Sequence, residues 1–167
     1  LEQKFDIIES AGVLHHMNEP MAGWMALTDL LKPGGLMKIG LYSELARQNI
    51  VEIREKISLN KLGTSLDQIK EFRLLLAESH NENYQLLTKS NDFFSLSMLR
   101  DLIFHVQEHR FTLIQIKNCL EELGLKFCGF ENKDAISKFT EFQGEKAKIY
   151  DLEMWHEFEE SNTNTFG

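Results

Sequence analysis

The sequence predicts an α/β fold, and three observations carry that expectation. The opening run FDIIESAGV is almost continuously apolar and β-branched from Phe5 to Val13, the pattern of a parallel strand covered on both faces. Helical spacing takes over immediately afterwards, and a second strand-like run, LMKIGLY over Leu36 to Tyr42, follows a Lys-Pro-Gly-Gly break. Strand, helix and strand with short connections make a β-α-β unit, whose crossover is expected to be right-handed.

Each element has a local cause. Asn18 offers an N-cap with Glu19 and Pro20 in the first turn, and Met21, Trp24, Met25, Leu27, Leu30 and Leu31 supply an apolar stripe. Lys32-Pro33-Gly34-Gly35 ends that helix, because Pro and Gly together break helical continuation. From Ser43 to about Leu123 the periodicity is helical. Leu45, Ile50, Ile53 and Ile57 share one face; Thr64-Ser65-Leu66-Asp67 has the form of a capping box before Ile69, Phe72 and Leu76; Leu96 to Phe104 is a further amphipathic run. Thr112-Leu113-Ile114-Gln115 is a second capping box, opening a helix that closes at Gly124. Leu125 to Phe130 reads as a third strand, and helices are expected near Asp134 to Phe142 and Lys146 to Glu159. The expected architecture is one domain over 1–167, an α/β sheet with a helical insertion over 43–123.

Composition narrows the function. The formal charge of -8, with Glu153, Glu157, Glu159 and Glu160 around Trp155 and His156, opposes phosphate backbones and makes nucleic acid an unfavourable partner. Basic residues are scattered singly, no apolar run approaches the length of a bilayer span, and no charged-then-apolar leader opens the sequence, so no membrane partner and a cytoplasmic location are expected. Cys119 and Cys128 have neither knuckle nor redox spacing and are expected to be buried, reduced thiols. The sequence begins at Leu1 and ends at Gly167 after a polar run, and is read as a piece cut from a longer chain.

Two stretches carry chemistry. His105-Val106-Gln107-Glu108-His109 has the H-x-x-E-H spacing of inverted zinc proteases, in which two histidines one helical turn apart share a face and bind one metal, with the glutamate as base. Glu153, Glu157 and Glu159 are candidates for a third ligand, but their spacing is short for that family, and Arg100 and Arg110 would oppose a dication. No metal is therefore expected, and the run is read as a polar cluster of Arg100, Asp101, His105, Glu108 and Arg110 at a helix end, or as part of an acceptor-binding surface.

The second stretch is FDIIESAGVLHHMNEPMAGWMALTDLLKPGGLMKIGLYSELAR. With Phe5-Asp6-Ile7-Ile8, Val13-Leu14-His15-His16, Glu19-Pro20 and Leu30-Leu31-Lys32-Pro33-Gly34-Gly35, it resembles class I S-adenosylmethionine-dependent methyltransferases from their fourth strand to just past their fifth. FTLIQIKNCLEELGLKFCGF, residues 111–130, resembles that family's last crossover helix and following strand. The whole run is most similar to bacterial methyltransferase domains that follow tetratricopeptide repeats.

The resemblance implies a partial Rossmann-like methyltransferase sheet, strands four to six, with S-adenosyl-L-methionine as the cofactor of the longer protein. Ala11, Gly12, Val13 and Leu14 would contact its methionyl part, largely through backbone and packing. His15 and His16 would meet the methyl acceptor as bases or orienting groups, or else serve only as strand-end packing; Tyr42 would line the same crevice or stand as a rim aromatic. Arg47, Arg100, His105, Glu108 and His109 are candidate acceptor-binding residues. The family's Gly-rich cofactor turn and its ribose-binding acid do not precede Phe5, so this chain alone is expected to bind the cofactor weakly or not at all and to be inactive. The acceptor is unknown. A zinc-dependent hydrolase and a non-catalytic helical interaction module that self-associates are the alternatives.

Overall fold

The computed structural model describes residues 3–104 and 108–166. They divide into two compact units, one formed by 1–46 with 107–167 and the other by 47–106. No helix among the described residues is long and apolar enough to cross a membrane.

The first unit starts with the β-α-β unit. Strand β1 (Phe5–Ala11) and strand β2 (Leu31–Gly40) pair in parallel, with helix α1 (Pro20–Leu30) between them. Trp24, 3% exposed, anchors α1. The helix begins one residue later than Asn18 would set it: Glu19 is the N-cap and makes no side-chain cap bond, and Pro20 at the first helical position supplies the fixed φ instead.

The ladder runs in step from Ile7↔Leu36 to Ala11↔Gly40, but Phe5 pairs with Leu31, so Lys32–Gly35 bulge out of register. The Pro-Gly-Gly sequence thus lies within β2 rather than between helix and strand. Gly34 has φ +76°, and a Cβ on Gly35 would lie 2.9 Å from the Asp6 carbonyl oxygen, which is why both positions need glycine.

β1 is shorter and more open than the sequence suggests. It ends at Ala11 because Gly12 turns to φ +72°, and a 3₁₀ turn over Leu14–His16 comes next. It is not covered on both faces: Ser10 is buried, but Ile7 is 71% exposed, and its neighbour Leu36 is 58% exposed. An apolar parallel pair of this kind is ordinarily sandwiched between layers.

After Leu41 a short strand β3 (Tyr42–Ser43) pairs in parallel with β4 (Arg110–Phe111). The second unit lies between them in sequence. It is helical: α2 (Gln48–Leu59), α3 (Leu66–Glu78), α4 (Glu82–Thr88), a 3₁₀ turn at Asn91–Phe94 and α5 (Leu96–Phe104). Its core gathers Ile50, Ile53, Ile57, Ile69, Phe72, Leu76, Leu99 and Ile103, the stripes that the periodicity marks out. The N-cap of α3 sits one residue further along than expected: Ser65 accepts the Gln68 backbone N–H, and its hydroxyl donates to Gln68 Oε1 rather than completing a capping box.

The rest of the first unit is α6 (Leu113–Glu122), α7 (Lys133–Gln143) and α8 (Leu152–Ser161). Thr112 and Gln115 form the full reciprocal capping box of α6. Gly124, at φ +66°, ends it with the Leu125 N–H on the Leu120 carbonyl and the Gly124 N–H on that of Glu121, a Schellman closure. The expected third strand does not form: Leu125–Phe130 joins no ladder among the described residues. Gly129 at φ +116° leaves the extended region, and Phe127 and Phe130 turn their rings to each other, with Phe130 against Trp155.

Trp155 is fully buried and stacks on Phe139 at 4.0 Å, with Phe158 and Phe166 around it. Its indole N–H donates to the Ile149 carbonyl at 2.9 Å. The last helix is shorter than expected because Asp151, rather than a residue near Lys146, caps it. Both cysteines are free; Cys119 is half-buried and Cys128 is exposed, not buried as expected, because no strand carries it inward.

Trp155→Ala is expected to cost about 3–5 kcal/mol in a urea titration, the range for emptying an aromatic core site. Leu75→Ala, at a position 62% exposed, is expected to stay within about 0.5 kcal/mol.

Candidate functional site

Two strands that run in parallel release their chains at the same edge, and the candidate residues of the first unit collect there. Past Ala11 the backbone turns at Gly12, where a built Cβ would meet no atom within 4 Å. Ala11, Gly12 and Val13 are exposed and form an open ledge, whereas Leu14 is 2% exposed and packs inward beneath Gly23 of α1. Any ligand contact at Leu14 would therefore be through its backbone.

The 3₁₀ turn sets His15 and His16 beside the start of β3. His15 is 1% exposed; its ring lies 4.0 Å from that of Tyr42 and 4.2 Å, edge-on, from that of His16. His16 and Tyr42 are each half-buried, with ring centroids 6.2 Å apart. Three polar aromatic rings thus form one cluster with a buried member, His15, and two members that reach the surface. A half-buried imidazole is the better candidate to exchange protons with a ligand, and His15 the better one to hold the others in place.

His109, at the end of the HVQEH run, meets this cluster by its backbone. His105, Val106 and Gln107 lie outside the described residues. Glu108 and His109 are not helical, so the shared helical face that a zinc site requires is not present at this end of the motif. The His109 N–H donates to the His15 carbonyl at 2.8 Å, and the next residues enter β4 against Tyr42 and Ser43. No group of three or more metal-ligating side chains converges among the described residues.

Of the expected cluster of Arg100, Asp101, His105, Glu108 and Arg110, His105 lies outside the described residues, and Arg110 and Arg100 each take a nearby carboxylate. Arg110 bonds Glu44 at 3.0 Å, with both side chains mostly buried, because β3–β4 pairing brings these neighbours together. Arg100 lies in the second unit and pairs with Asp101 at 3.7 Å on the surface. Arg47 also belongs to the second unit, preceding α2 as its N-cap residue.

A shallow cavity of about 350 Å³ opens between the start of α1, β4 and α6, with Pro20, Met21, His109, Arg110, Asn118 and Cys119 on its wall. Burial, with Glu122 nearby, pushes the Cys119 thiol up, which disfavours the thiolate form.

Sequence reasoning named Glu159 only as a candidate metal ligand and missed its contact with Ser43. Ser43 Oγ donates to Glu159 Oε1 and accepts the Ala46 N–H at 3.0 Å. A glutamate among other glutamates on an acidic helix gives no signal of burial. The signal that was there is spacing: Glu159 lies four residues beyond Trp155, on the apolar face of α8.

No protein-family model matches the chain. It is 31% identical over 142 residues to "Uncharacterized protein syc1184_c" of a Synechococcus strain, a match that covers 80% of this chain and 34% of that protein. The chain spans about a third of the length of this relative.

Gly12→Ala is expected to cost about 1–2 kcal/mol in thermal or urea unfolding, from the left-handed backbone alone, since no clash awaits the methyl group. Gly12→Asn should cost less, because asparagine tolerates that region better.

Proposed function

We propose that the chain is the carboxyl-terminal part of an S-adenosylmethionine-dependent methyltransferase domain in a longer polypeptide, and that His15, His16 and Tyr42 face the methyl acceptor. The observation that carries this reading is the convergence of those three rings at the carboxyl edge of a parallel β-α-β unit, next to a glycine ledge. Ligand crevices in α/β sheets lie at that edge.

The residues fit part of the cofactor. The exposed backbone of Ala11, Gly12 and Val13 leaves room for a ligand to approach closely, as the methionyl portion would require. The Gly-rich turn and the ribose-binding acid would have to come from outside this chain. When bound, the cofactor supplies an electrophilic methyl group on a sulfonium.

The work left to this chain is positioning and the proton. His16 would take the proton from an acceptor N–H or O–H. Tyr42 would orient the acceptor by its hydroxyl, and His15, wedged between the two rings, would fix their spacing. Glu108 and His109, in the same unit as the ring cluster, are the candidates for acceptor recognition. The acidic balance favours a protein side chain or small metabolite over a nucleobase.

The interaction-module reading has its own observation in the second unit. Leu59, Leu74, Leu75 and Phe94 are 61–81% exposed there, apolar side chains that a partner surface would cover. Light scattering of the chain over a range of concentrations distinguishes that reading, which requires self-association.

By calorimetry the 167-residue chain is expected to bind S-adenosylmethionine no better than the high micromolar range, and a longer chain carrying the upstream sequence to bind more tightly. Low-micromolar binding by the chain alone would overturn the fragment reading. In the longer protein His16→Asn is expected to lower kcat about a hundredfold, the lower end for loss of a general base, and Tyr42→Phe to act mainly on KM. Equal activity in both variants would remove the cluster from the mechanism.

A further inference from the structure

Helix α8 carries a titratable group that the methyl-transfer reading does not use. Glu159 exposes none of its surface. Its carboxyl accepts a hydrogen bond from Ser43 at Oε1, while Oε2 is buried with no hydrogen-bond partner among the described residues. An ionised carboxylate asks for several donors, so one donor in a fully enclosed site suits the neutral acid far better than the anion. Ser43 comes directly after Tyr42 in β3, and that short strand is held in place by β4.

We infer that Glu159 is a positioning residue that clasps α8 to the Tyr42–Ser43 strand, firmly when its carboxyl is protonated and loosely when it ionises.

The surroundings fix the direction. Burial pushes the Glu159 carboxyl above the ordinary carboxylate range; the Ser43 hydroxyl and the charge of His156, one turn earlier on the same helix, pull it down without prevailing. His156 itself has Nε2 3.9 Å from Glu160 and a buried Nδ1. The charged groups on neighbouring elements are engaged elsewhere: Glu44 and Arg110 with each other, and Lys117 of α6 with Glu153 and Glu121. α7 presents Phe139 and Phe142 to Phe158 of α8.

A carboxyl raised in the folded state favours folding fully below its unfolded value. That contribution is lost as pH rises from the ordinary carboxylate range to the raised value. The clasp therefore weakens on the alkaline side of that window.

The inference depends on the methyltransferase reading only for its consequence at Tyr42, and its test does not require activity. In the intact protein labelled with carboxyl-¹³C glutamate, one carboxyl is expected to titrate above the rest and to vanish from the spectrum of Glu159→Gln. Two backbone amides report the clasp: Glu44 N–H on the Phe111 carbonyl and His109 N–H on the His15 carbonyl. Their exchange protection, corrected for intrinsic base catalysis, should fall with the same midpoint, by up to about tenfold for each unit by which the carboxyl is raised. Ser43→Ala should move the midpoint to higher pH, because it removes a donor that favours the carboxylate, and His156→Gln should do the same.

Titration of Glu159 together with the exposed glutamates, protection indifferent to its titration, or a step that persists in Glu159→Gln would each overturn the clasp. Should Glu159→Gln not fold, the direction of the Ser43→Ala shift decides the question. If the step is present and the longer protein shows no methyl transfer, the methyltransferase reading fails and the clasp stands.

Discussion

Parallel pairing of β1 and β2 is the constraint on which the rest of the first unit depends. Two parallel strands cannot be joined by a tight turn, so the chain must cross back over the sheet, and α1 is that crossover. The same pairing makes both strands end on one side. The segment leaving β1, with the Gly12 turn and the two histidines, therefore meets the Tyr42 strand leaving β2, although the two are far apart in sequence. An antiparallel pair with the same residues would have sent them to opposite ends.

The second pairing, β3 with β4, extends this logic across the intervening helices. It brings residues 42–43 and 110–111 into register, draws together the half-buried Arg110–Glu44 pair and places the His109 amide on the His15 carbonyl. The aromatic group around Trp155 then carries α8 beneath the strand end, where Ser43 meets Glu159. Backbone hydrogen bonds thus set the geometry of the cluster, and apolar packing supplies the support behind it.

Much of this was legible because its signals are local. Ile50, Ile53 and Ile57, or Thr112 with Gln115, declare a helix face and a helix start within a few residues, and both appear as read. Gly124 ends its helix for the same reason. The errors lie where tertiary context decides. FDIIESA has the composition of a strand enclosed on both sides, but exposure depends on which layers are present, and here Ile7 and Leu36 face outward. LKFCGF has strand propensity, but Gly129 and the pull of Trp155 on Phe130 take it off the ladder. The helical face that His105-x-x-Glu108-His109 would need for a metal is not continued at Glu108 and His109. In the candidate site, the histidine pair and Tyr42 could be named from their positions after two strands. The Ser43–Glu159 contact, spanning 116 positions, could not.

The irregular stretch of β2 has a mechanical consequence. Between the pairs Phe5↔Leu31 and Ile7↔Leu36, one strand advances two residues while the other advances five. The slack is confined to Lys32–Gly35, upstream of the in-step ladder that ends at Gly40. A residue gained or lost there would change the size of the bulge and leave every later pairing untouched. The bulge is thus a length buffer: the crossover helix can drift in sequence without transmitting that drift to the edge where His15, His16 and Tyr42 meet.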